Sequence, residues 1–193
     1  MESKSVARAG AACGIIFPVA LSLGRDGVLM LSAFGLVAFV PFLAYLYSLL
    51  RSADRQGEWL AAAALGAGLM GITLKLVSVT PEIAYRNVPT GSQAHAALVG
   101  IADAATVASL YPFAVLCGII ALQTARFGVL PRWLGAFAGI TAVALAINGS
   151  VEHAASVPAL LLFVAWSFLA GATLFVRATW RQPVTTGDAV VAR

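Results

Sequence analysis

Charge in this chain is confined largely to short clusters, and between the clusters lie six apolar runs, at residues 6–23, 28–50, 59–79, 94–125, 133–147 and 158–176. A helix of about 20 apolar residues crosses the hydrocarbon core of a bilayer, which is about 30 Å thick. Most of these runs are close to that length or longer. A soluble domain is about 45–50% apolar and about 25% charged. Here 61% of residues are hydrophobic, 10% are charged, and the mean hydropathy is +0.93. With no water to satisfy backbone N–H and C=O groups, a chain in lipid must pair them internally, and the helix does so within each segment. The expected fold is therefore all-α, an integral membrane bundle of six transmembrane helices. Residues 1–181 form one such domain. Residues 182–193, with Pro183, Thr185, Thr186 and Gly187, read as a disordered tail.

The positive charges give the bundle a direction. Lys4 and Arg8 precede the first span, Arg51 and Arg55 follow the second, Arg126 and Arg132 follow the fourth, and Arg177, Arg181 and Arg193 close the chain. The alternate connections hold Arg25, Arg86 and none. Lys and Arg accumulate in cytoplasmic loops, so both termini are expected in the cytoplasm of a multi-pass protein of the cell inner (plasma) membrane. The same placement removes nucleic acid as a partner. The formal charge of +4 is spread over loops, and no basic run tracks phosphates. The first apolar run ends in Ser22-Leu23-Gly24-Arg25-Asp26, without a small-x-small cleavage site, and reads as a retained span.

Local signals refine the spans. Gly10 and Gly14 in the first, and Gly135 and Gly139 in the fifth, are GxxxG pairs that let helices approach closely. Pro18 is expected to kink its helix, and Pro41 lies inside the second span. Thr80 to Gln93 contains Pro81, Pro89 and Gly91 and reads as the longest polar connection, without regular structure throughout. The fourth run is long for one crossing, so it must tilt, bend at Pro112 or project beyond the membrane. Cys13 and Cys117 are isolated in apolar surroundings and read as small buried hydrophobes.

The question the sequence poses is why ionisable groups stand near one leaflet. Lys75, Ser78 and Glu82 share a helix face if the third span continues that far. His95, Val99, Asp103, Thr106 and Leu110 form the matching stripe on the fourth. Arg86 lies in the connection, Tyr111 two turns below Asp103, and Asn148, Glu152 and His153 at the same leaflet beyond the fifth span. A charge at membrane depth costs about 3 kcal/mol on insertion scales. Pairing Lys75 with Asp103 offsets that cost and locks two helices. The competing expectation is an outward-facing polar pocket between spans 3, 4, 5 and 6. Asp103 is then its deepest acid or base, with Glu82 and His153 as catalytic partners, and with Lys75, Arg86, His95, Tyr111, Asn148 and Glu152 as binding groups. No HxxxH or HExxH is present and Glu152 and His153 are adjacent, so no metal is expected. There is no glycine-rich phosphate loop, GxSxG or selectivity-filter sequence, and no cofactor is expected.

Arg8-Ala9-Gly10 through Phe17-Pro18, together with Phe127-Gly128-Val129-Leu130-Pro131-Arg132-Trp133-Leu134-Gly135, resembles small bacterial six-span membrane proteins of unknown function. That resemblance implies the fold and no functional residue. The expected activity is cofactor-free acid/base chemistry of the isomerase, cyclase or hydrolase type on a lipophilic small molecule. A proton- or ion-coupled carrier or channel, and a non-catalytic accessory membrane subunit, are the alternatives. The expected partners are the lipid bilayer, a lipophilic ligand and further copies of the chain.

Overall fold

A computed structural model of the chain describes residues 4–24, 29–54, 58–150 and 157–180. They form six helices: α1 (Lys4–Gly24), α2 (Leu29–Ala53), α3 (Glu58–Tyr85), α4 (Gln93–Phe127), α5 (Arg132–Ser150) and α6 (Val157–Trp180). All six are long and apolar enough to cross a membrane. Arg25 and the 182–193 tail lie outside the described residues.

Each helix packs on its neighbours in sequence, and α6 returns to α1, so the six close into a ring. The α3–α4 seam is the most extensive. At one end of the ring, here the hairpin end, α3 turns into α4. The α2–α3 and α4–α5 turns lie at the opposite end. The interior of the ring is packed with side chains. Phe17, Phe39, Phe42, Phe113, Phe163 and Trp166, from α1, α2, α4 and α6, are almost wholly buried at its centre. Phe113 stacks on Phe163 with centroids 4.4 Å apart, and Phe17 lies 4.5 Å from Phe39. Large rings at these separations interlock at the density of a packed interior.

Glycine matters most where α1 crosses α6. A Cβ on Gly171 would stand 2.8 Å from the carbonyl carbon of Gly14, so the two backbones touch. The Gly10 half of the first GxxxG pair receives Tyr45 of α2 instead. In the second pair, Gly135 receives Thr124 of α4, while Gly139 has only Ala121 nearby. The segment that carries the resemblance is a compact turn. Gly128 takes a left-handed φ of 65° and its N–H bonds to Thr124 O, ending α4. Pro131 O then accepts the N–H groups of Leu134 and Gly135, starting α5. Leu130 and Leu134 are buried beneath that turn.

Two departures from the sequence expectation concern α3 and α4. The helix of α3 does not end near residue 79; it continues through Pro81 to Tyr85. A proline gives up one backbone bond to the carbonyl four residues earlier, which the close seam with α4 outweighs. Only residues 86–92 then form the connection. Asn87 and Val88 make turn bonds to Ala84 O and Tyr85 O, and Ser92 caps α4 by accepting from His95 N–H at 3.1 Å. The second departure is length. Among tilt, bend and projection, α4 shows projection past its neighbour: with 35 residues it outruns the 19 of α5. The end of α5 is fixed beside Tyr111, whose hydroxyl donates to Gly149 O at 2.6 Å. From Tyr111 back to Gln93, at about 1.5 Å per residue, α4 extends about 27 Å beyond that point.

Candidate functional site

The α3–α4 seam holds the polar cluster. Lys75 of α3 donates from Nζ to Oγ1 of Thr106 on α4 at 2.9 Å. Each of these two residues is followed three positions later by a buried serine. Ser78 Oγ donates to Lys75 O at 2.7 Å and Ser109 Oγ donates to Thr106 O at 2.6 Å. A hydroxyl that bonds back to the preceding turn satisfies itself locally and binds an already used carbonyl. Both serines are therefore consumed by the helices, and Lys75 and Thr106 are the groups that meet across the seam.

The expected ion pair is not the contact that forms. Lys75 bonds a neutral hydroxyl, and the carboxylates of Glu82 and Asp103 are close enough to act on it through charge without touching it. The ion pair found among the described residues is Arg51–Glu58 at the opposite end, where both side chains are exposed. The continuation of α3 to Tyr85 does place Lys75, Ser78 and Glu82 on one helix. Glu82 is half-buried, and Asp103 is exposed rather than the deepest member of a pocket. The reason is the register. Asp103 sits two turns beyond Tyr111, past the end of α5, so among the described helices α3 is the one that runs beside it.

The remaining expected residues scatter around this seam. Arg86 is exposed in the connection. His95 is half-buried and packs edge-on against Tyr85, with ring centroids 5.2 Å apart. Its Nδ1 is buried and accepts or donates no hydrogen bond among the described residues. Tyr111 is partly exposed and spends its hydroxyl on Gly149. Asn148 is half-buried one residue before Gly149. Glu152 and His153 lie outside the described residues. The pocket expected between spans 3, 4, 5 and 6 thus takes another form. α3 packs on α2 and α4, and the polar groups occupy a two-helix seam, joined to α5 through Tyr111.

A separate groove of about 700 Å³ opens between α1 and α6, on the far side of the ring. Pro18, Val19 and Leu23 line one wall, and Leu161, Val164 and Phe168 the other. Ser22 is its one hydroxyl, and it is bonded to Pro18 O at 2.8 Å. Among the described residues the groove is therefore an apolar surface with no group able to do acid/base work. The sequence holds no local signal for it, since its two walls come from helices far apart in the chain.

Comparison with protein-family models, with curated proteins and with solved structures finds no match to this chain.

Proposed function

We propose an integral membrane protein of the plasma membrane, with both termini cytoplasmic, that binds and transforms an amphiphilic small molecule at the outer membrane–water boundary. The orientation follows from the loop charges. The depth follows from helix length. Counting about 20 residues from the Arg- and Trp-marked ends at Arg51, Trp59, Arg126 and Arg177 brings the outer boundary near residues 31, 79, 106 and 157. Lys75 is then about one turn inside the hydrocarbon, Thr106 is at its edge, and Asp103 and Glu82 stand among headgroups. The seam becomes a place where a molecule keeps its tail in lipid and offers its polar end to a cation and two acids.

The observation that carries this reading is the Lys75–Thr106 bond. A partly buried ammonium within a span has its charge unneutralised by direct contact and two of its three donors without a hydrogen-bond partner among the described residues. Holding it there is costly, and a ligand group that accepts from it offsets the cost. Asp103, exposed one turn above, is the acid or base, and Glu82 the second carboxylate. The carrier reading has less support, because six aromatic side chains fill the centre of the ring.

Lipid extracts from cells making the wild type or Asp103→Asn, compared by mass spectrometry, test the chemistry. A species that the wild type depletes and the variant does not is the expected result. Identical profiles with both proteins overturn the catalytic part. If the wild type still retains lipid that Lys75→Met does not, the site binds without turning over, which is the accessory-subunit reading.

A further inference from the structure

The α3–α4 seam carries its charges in an order, and the order selects a ligand. At the lowest level are Lys75 and Thr106, joined at 2.9 Å. Toward the hairpin end, Asp103 follows about one turn above Thr106 on α4, and Glu82 about two turns above Lys75 on α3. Both acids act on Lys75 through charge. Arg86, one turn past Glu82, is exposed and makes no ion pair among the described residues. With Arg86 the four groups sum to zero formal charge, so a simple anion gains no net attraction from the seam and would leave both acids unpartnered. A simple cation would leave the Lys75 donors unused. A ligand with a deep anion and a cation above it satisfies both levels.

Resting on the boundary position proposed above, we infer that the seam binds the headgroup of a zwitterionic phospholipid of the ethanolamine type. The phosphate accepts from Lys75 Nζ and Thr106 Oγ1, and the ammonium donates to Asp103 and Glu82. A phospholipid presents its groups in this order, with phosphate nearer the chains and amine nearer water. A primary ammonium makes charge-assisted hydrogen bonds to carboxylates. A quaternary ammonium makes none and favours aromatic faces, whereas Tyr85, the nearest ring on α3, is turned to His95. The lipid source fits the flank of the seam: Val77, on the hydrocarbon side of the boundary, is half exposed beside it, and it meets the acyl chains.

The test uses the full chain purified from bilayers that contain phosphatidylethanolamine, phosphatidylcholine and phosphatidylglycerol in equal amounts. Retained lipid is counted by native mass spectrometry. The wild type is expected to keep phosphatidylethanolamine about tenfold over the other two, the ratio that about 1.4 kcal/mol supplies. Asp103→Asn and Glu82→Gln should erase the advantage over phosphatidylcholine. Lys75→Met should lower retention of all three, and Lys75→Arg should restore it, which separates loss of the site from loss of fold. Phosphatidylglycerol retained best by the wild type and lost in Lys75→Met would overturn the headgroup assignment and leave the boundary site standing. Retention no better in the wild type than in Lys75→Met would overturn both. Binding of soluble phosphoethanolamine as tight as that of the phospholipid would overturn a lipid as the ligand, since the acyl chains would then add nothing.

Discussion

The α1–α6 seam and the α3–α4 seam lie on opposite sides of one ring and are held by different means. At the first, two glycines let backbones touch, and an apolar groove lies beyond them. At the second, longer helices run together past the end of α5, and a lysine bonds a threonine across the gap. Without water competition, helices in lipid associate through close packing and through interhelical hydrogen bonds. This bundle uses one device on each side. A seam closed by shape has no chemistry to offer. A seam closed by polar groups has, provided those groups are not fully spent on each other. That is why the proposed site is placed at α3–α4 and not at the α1–α6 groove.

The largest effect that would break this contrast is expected at Gly171→Val. Its Cβ meets the Gly14 backbone, which cannot turn aside as a side chain can. Overpacking of that kind costs about 1–3 kcal/mol, read as a lower unfolding midpoint in detergent titration. An unchanged midpoint would show that α1 and α6 are free to separate. A smaller loss, about 0.6–2 kcal/mol, is expected for Thr106→Val, which removes one interhelical hydrogen bond and keeps the shape. Lipid retention should fall with it, whereas in Gly171→Val a protein that still folds should retain lipid normally. The reverse pattern would place the site at α1–α6. Ser109→Ala should cost less again, since its hydroxyl serves only its own helix. At the bottom, Arg51→Ala should leave both stability and lipid retention unchanged, because its ion pair with Glu58 is exposed and screened.

The six long apolar helices were legible because hydropathy is summed over many residues, so single errors cancel. The boundaries at α3 and α4 were not. Pro81 read as a breaker, yet a proline inside a well-packed seam costs one backbone bond and the helix survives it. That misreading shortened α3. The level of a residue is set by where the neighbouring helix stops, and here that depends on Tyr111 meeting Gly149. The stripe of Lys75, Ser78 and Glu82 facing Asp103 and Thr106 was legible from helical spacing. Which pair would touch was not, because an acid and a hydroxyl one turn apart satisfy the same spacing. Gly171 was missed for a related reason. A GxxxG pair is visible within one helix, but a glycine that pairs with Gly14 across two helices leaves no local pattern.

The central claim is that the polar end of the α3–α4 seam stands in outer headgroups and not in hydrocarbon. Cysteine labelling in intact cells with a membrane-impermeant maleimide measures this directly, with Cys13 and Cys117 replaced by alanine. Asp103→Cys should label from outside without permeabilisation, and Val143→Cys, exposed in the middle of α5, should stay unlabelled before and after it. Protection of position 103, or labelling only once the cells are opened, would contradict the account.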